Sequence, residues 1–190
     1  FDVIENNFIN LTKVSGISKR LASNINKTFI KLNKSRNIMI YLQSLDITPA
    51  CAARIQKYYG EDTINLININ PYRLTDEIWG IGFKKADEIA KNIGIEKDSE
   101  FRIQAAIKFC LNQASEVGGH TFLPEEILIS NISELIDIEQ NLIQENINNM
   151  CEKNLIYREK INNQTVDYIN FYYHIEKYIS QKILILNQKK

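Results

Sequence analysis

Histidine, cysteine and proline are scarce in this 190-residue chain, with two, three and three copies, and tryptophan occurs once. Cys51, Cys110 and Cys151 are scattered evenly and form no C-x-x-C pair. That pattern excludes a zinc ribbon and a disulfide framework. Buried thiols in a reducing compartment are the expectation, since free cysteine packs as a small hydrophobe. No apolar run has bilayer-spanning length and no basic-then-apolar leader opens the chain, which points to a cytoplasmic protein without a membrane partner. No G-x-x-x-x-G-K-[ST] loop occurs, so nothing can cradle a nucleoside triphosphate and ATP hydrolysis is not expected. Phe1 stands in place of an initiator methionine and reads as the mark of an excerpt from a longer chain.

What is present is ordinary for a globular protein: 44% hydrophobic and 24% charged residues. The formal charge of zero conceals an asymmetry. Residues 1–95 carry 13 Lys/Arg against 9 Asp/Glu, residues 96–190 carry 10 against 14, and residues 1–36 carry 7 against 2. A polyanion is therefore expected on the N-terminal half.

An internal repeat organises that half. Leu11-Thr12-Lys13-Val14-Ser15-Gly16-Ile17-Ser18 runs in step with Leu74-Thr75-Asp76-Glu77-Ile78-Trp79-Gly80-Ile81-Gly82. Past the turn, Lys19-Arg20-Leu21-Ala22 matches Phe83-Lys84-Lys85-Ala86, and Ile25 matches Ile89. A fainter copy places Asp46-Ile47-Thr48 at the Gly-Ile-Gly position, followed by Pro49 to Ile55. Each copy reads as short helix, tight turn, second helix. Pro71 suits the first turn of a helix over 71–78, and Gly80 and Gly82 supply unusual backbone angles to the turn. Helices are predicted over 50–59, 62–69 and 83–93, with a connecting helix over 27–43.

The pattern changes after Gly94. A helix over 100–116, a short strand at 120–123, a helix starting at Pro124-Glu125-Glu126, a helix over 139–153 and a β-hairpin turning at Asn162-Asn163 follow in order. A last helix starts near Tyr173. That order is the one of a winged-helix domain. The expected fold class is mainly α: tandem helix-hairpin-helix motifs, then a small winged-helix-like α+β module. The divisions are 1–39, a partial hairpin unit and connecting helix; 40–95, the tandem hairpins; 96–172, the winged-helix-like module; and 173–190, a C-terminal helix.

The turns carry the chemistry. Glycines let the backbone approach another molecule, and each turn feeds a helix N-terminus whose amides and positive dipole end face outward. A phosphate oxygen fits that arrangement. The candidate phosphate-binding residues are Gly80, Ile81, Gly82, Lys84 and Lys85, with Gly16, Ile17, Ser18, Lys19 and Arg20 from the first copy. Such contacts position DNA without reading bases. Asp46 would repel a phosphate, so the degenerate copy is expected to serve packing. Trp79 is expected as a wedge between helices, His120 as a strand residue, and the aromatic cluster at 168–173 as core. The helix over 139–153 offers Glu139, Glu145 and Glu152 against Lys153, the wrong balance for a phosphate-facing helix. Neither a catalytic residue nor a metal or cofactor site is expected. Asp98 lies too close to the third turn for a glycosylase base.

Residues 40–95, with Ile47-Thr48-Pro49-Ala50, Tyr58-Tyr59-Gly60-Glu61-Asp62, Asn70-Pro71-Tyr72-Arg73-Leu74 and Ile78-Trp79-Gly80-Ile81-Gly82-Phe83-Lys84-Lys85-Ala86-Asp87, resemble the N-terminal region of RecD-like DNA helicases. Gly119-His120-Thr121-Phe122-Leu123-Pro124 is similar to that family as well. The family includes bacterial superfamily-1 enzymes of the RecD and TraA type, among them exodeoxyribonuclease V alpha subunits. The resemblance implies an accessory region, ahead of an ATP- and Mg2+-dependent 5′-to-3′ motor absent from this chain. Its implied partners are single-stranded or junction DNA and that motor, in DNA repair and recombination. Ser18 and Asp46 depart from the family's hairpin glycines. The alternatives are a protein-interaction spacer with structural hairpins and a glycosylase-like enzyme.

Overall fold

A computed structural model describes residues 2–188. Packing divides the chain into two compact units, Phe1–Ile81 and Gly82–Lys190. The division falls inside the third turn, because the helix that follows the turn packs on its C-terminal neighbour.

The first unit is helical throughout: α1 (Asp2–Asn6), a 3-10 turn (Phe8–Lys13), α2 (Lys19–Ser44), α3 (Pro49–Tyr59), a 3-10 turn (Gly60–Asp62), α4 (Thr63–Ile69) and α5 (Arg73–Glu77). The spine is α2, against which α1, the first 3-10 turn, α3 and α4 pack. Two separate helices were expected over this stretch. A single one forms because neither glycine nor proline interrupts Lys19–Ser44. Ala22, Ile38 and Leu42 are its buried residues. Polar ties fix the neighbours: Asn26 Nδ2 donates to the Ile4 carbonyl at 2.6 Å, Tyr41 Oη to Asn68 Oδ1 at 2.6 Å, and Gln56 Nε2 to Ser35 Oγ at 2.6 Å.

The second unit comprises α6 (Phe83–Asn92), α7 (Glu100–Gly118), β1 (Phe122–Pro124), α8 (Glu125–Ile136), α9 (Gln140–Glu152), β2 (Ile156–Ile161), β3 (Gln164–Ile169) and α10 (Asn170–Asn187). The strands form one antiparallel sheet, in the order β1-β3-β2, with Leu123 opposite Asp167 and Tyr157 opposite Tyr168. Asn162 and Asn163 take φ of +49° and +65°, as a two-residue hairpin turn with right-handed strand twist requires. Ile103, Ile107, Leu128, Ile132, Ile143 and Ile147 fill the core of α7, α8 and α9.

Local corrections have simple causes. Pro124 is the N-cap of α8 rather than its first helical residue, with ψ of 134°, because it still pairs with Val166 in the sheet. His120 precedes β1. Its amide closes the end of α7 on the Ala114 carbonyl at 3.0 Å, with Gly119 left-handed at φ +67°. In the aromatic cluster Tyr168 is core, whereas Phe171 is exposed because β3 ends at Ile169 and alternation ends with it. On α10 no residue is buried, and Ile175, Ile179, Ile183 and Leu186 are exposed. The last two residues of the range 173–190, like Phe1, lie outside the described residues.

Cys51 and Cys110 are buried and Cys151 is half-buried. Burial pushes the Cys110 and Cys151 thiols up to about 11. A raised thiol favours the protonated folded state, so this contribution is full below the unfolded value and lost as pH rises through about 11. Near neutral pH these two thiols should hold roughly a hundredfold less thiolate than free cysteine. Thiol-reagent kinetics on native and urea-unfolded protein check this, and equal rates in both states would refute it.

Candidate nucleic-acid interface

The first and third turns share one geometry. Ile17 N donates to the Val14 carbonyl at 3.1 Å, and Ile81 N donates to the Ile78 carbonyl at 3.2 Å. Each closes a four-residue turn whose third member, Gly16 or Gly80, sits at φ +90°. A type II turn demands that angle, which a Cβ opposes. Gly82 needs no such freedom: it caps α6 at φ −89° and ψ 175°, an ordinary extended conformation. The expectation that both glycines supply unusual angles is thus corrected to Gly80 alone. A Cβ on Gly82 would meet nothing within 4 Å, and the same is true of Gly16. Close packing within the chain does not explain either residue.

The helix starts beyond the turns differ. Ser18 Oγ accepts from Leu21 N at 3.2 Å, so the first hairpin already occupies one of its exposed amides. Gly82 offers no side-chain cap, leaving the first turn of α6 without that covering. In both hairpins the next buried position is alanine, Ala22 and Ala86, whose amides return to the Ser18 and Gly82 carbonyls at 2.9 and 3.1 Å. Lys19 and Arg20 are exposed, as is Lys84, which forms no ion pair among the described residues. Lys85 is turned aside to Glu88 at 3.0 Å. Ile81 is buried and Ile17 half-buried, so these residues anchor their turns.

The degenerate turn is built otherwise. Asp46 adopts φ +56° and its amide donates to the Gln43 carbonyl at 3.0 Å, while Ile47 N donates to the Leu42 carbonyl at 3.2 Å. This is the left-handed ending of α2, with aspartate where glycine is usual. Thr48 stays at φ −62°, so the copy never asks it for the positive angle that threonine resists. Ala52, equivalent to Ala22 and Ala86, is likewise fully buried.

Residues 31–122 match the family described as the helix-hairpin-helix domain of ATP-dependent RecD2 DNA helicases. The likeness is to the N-terminal region of RecD2 helicases. The ATP-dependent RecD2 DNA helicase of Deinococcus radiodurans is 30% identical over 124 residues, covering 65% of this chain and 17% of that helicase. The RecD2-type match covers the second and third hairpins and leaves the first, at 16–22, outside it.

Within the RecD2-type region the sequence misplaced Trp79. Its side chain is 86% exposed rather than wedged between helices. As the second residue of its turn it projects outward, and hydrophobicity alone gives no sign of that. The Arg54 guanidinium, from α3, lies 5.6 Å from the ring centroid.

Asp87, quoted in the family motif, is structural. It is nearly buried, takes Arg102 Nε at 2.7 Å, and also meets Lys91 Nζ at 2.8 Å. Nothing in the spacing announces that pair.

Elsewhere in the chain, Asp98 is exposed on the loop before α7. On α9 the acids Glu145 and Glu152 are exposed, and Lys153 is held by Glu100 at 3.2 Å. Arg158 joins Asp167 at 2.9 Å, Glu125, and Asn148 at 2.7 Å. Burial raises the Asp167 carboxyl above its usual range, and Arg158 opposes that shift. Among the described residues no helix is long and apolar enough to cross a membrane, and no cluster of three metal-ligating side chains forms.

Proposed function

We propose that the third hairpin, assisted by the first, binds the sugar–phosphate backbone of DNA without reading sequence. The observation that carries this reading is the uncapped start of α6 behind Gly82, where a Cβ would meet only open space and Lys84 stands exposed. Bare amides, a helix dipole and an unpaired cation converge there on the requirements of one phosphate oxygen. Ser18 caps the first hairpin internally, so that copy contributes mainly through Lys19 and Arg20.

In the parent protein this accessory region would orient single-stranded or junction DNA for an ATP- and Mg2+-dependent 5′-to-3′ motor, in cytoplasmic repair and recombination. Residues 96–172 are read as a winged-helix-like module that docks on the motor. Its α9 favours protein over phosphate, because its exposed acids outnumber a lysine already engaged by Glu100.

A salt titration of binding to dye-labelled oligonucleotides tests the reading. With about four phosphates neutralised, the log–log slope should be roughly −3 to −4. Lys84→Glu should weaken binding equally on unrelated sequences and flatten the slope by about one. Lys85→Glu should do less, since Glu88 already holds that ammonium. No binding at low salt, or a sequence-dependent loss in Lys84→Glu, would overturn backbone recognition.

A further inference from the structure

Trp79 has no structural reason to be a tryptophan. It is the chain's sole copy, it is 86% exposed, and it stands immediately before the left-handed Gly80. Large aromatic side chains are usually covered, so an uncovered ring on a rigid turn marks a surface made for contact.

The surroundings say what kind of contact. Arg54 lies over the ring and comes so close to the turn that a Cβ on Gly80 would sit 3.4 Å from its Nη2. Arg54 forms no ion pair among the described residues, and its charge remains available. Lys57 and Tyr58 follow three and four residues later on the same face of α3, both exposed. Aromatic rings interleaved with free cations suit a nucleic acid strand better than a protein groove, which would need a continuous apolar patch.

We infer that Trp79 is a stacking platform for an unpaired nucleobase, with Arg54 holding the ring and reaching the flanking phosphate. This rests on the backbone-binding reading above and narrows it to a strand with at least one free base face. Duplex DNA hides those faces in its own stack.

The ring reports on itself, because no other tryptophan emits. The full chain is titrated with a short oligothymidylate, an abasic strand of equal length and a blunt duplex. Tryptophan emission and the anisotropy of dye-labelled strands are read together. The oligothymidylate is expected to quench Trp79 strongly, whereas the abasic strand and the duplex bind with little quenching. Trp79→Ala should weaken oligothymidylate binding about tenfold, the size of one base–aromatic stack, and leave the abasic strand unaffected. Trp79→Phe should restore part of the loss, and thermal melting should be unchanged in both variants.

Binding by anisotropy without quenching would overturn the stacking site while leaving backbone recognition intact. Equal quenching by the abasic strand or the duplex would do the same, as would a Trp79→Ala protein that binds every probe normally and so frees the ring for a protein partner. Absence of binding to all three probes at low salt would overturn both readings.

Discussion

Arg102→Ala is expected to destabilise the chain by about 3 kcal/mol, the lower end of the usual cost of breaking a buried ion pair, since Lys91 still meets Asp87. Arg102 and Asp87 are 6% and 7% exposed. The guanidinium meets the carboxylate through Nε at 2.7 Å and Nη2 at 3.3 Å. Nη1 donates to the Lys97 carbonyl at 2.9 Å and the Ile136 carbonyl at 3.1 Å. One side chain thereby joins α6, the loop before α7, α7 itself and the end of α8. Removing it leaves Asp87 to the exposed Lys91, a buried Ile136 carbonyl and a part-buried Lys97 carbonyl without their donor, and a void. Urea denaturation followed by circular dichroism should show the midpoint falling with little change in slope. Pairing Arg102→Met with Asp87→Leu should recover part of the loss, because neither charge is then stranded. A midpoint shift under 1 kcal/mol for the single variant would mean that water reaches this pair.

Gly80 and Gly82 should fail in opposite ways. Gly80→Val forces a β-branched residue to φ +90°, at a cost of about 1–3 kcal/mol in backbone strain. The new Cβ also comes into contact with Arg54 Nη2 at 3.4 Å, so the added methyls lie beside the guanidinium that covers Trp79. Stability and DNA binding fall together. Gly82→Ala sits at an ordinary φ with open space around its Cβ. A lost cap preference and a gain from reduced unfolded-state freedom nearly offset, so melting should change by no more than about 1 kcal/mol. Binding should nonetheless drop, because the methyl occupies the approach of the phosphate. If Gly82→Ala binds as tightly as the parent, the opening at α6 is not where the backbone docks.

The sequence made the hairpins legible because glycine at a fixed distance from a helical alanine is a backbone statement as much as a side-chain one. Gly16 and Gly80 take the same angle, and Ala22, Ala52 and Ala86 are all fully buried. Periodicity likewise located the helices and the Asn162-Asn163 turn. It erred where two signals compete. Two glycines flank Ile81, and only the turn closed from Ile78 decides which one carries the positive angle. Trp79 is hydrophobic, yet its place in that turn puts it outside.

By itself the chain's order of residues determined where the backbone turns and which positions must be small. Those are local properties, fixed by sterics within a few residues. The tertiary structure alone decided that Arg54 lies over Trp79, that Arg102 holds Asp87, and that Lys85 is drawn off to Glu88 while Lys84 has no ion pair among the described residues. Which charges stay available to a ligand depends on where distant or competing partners come to rest, and that is settled only when the helices pack.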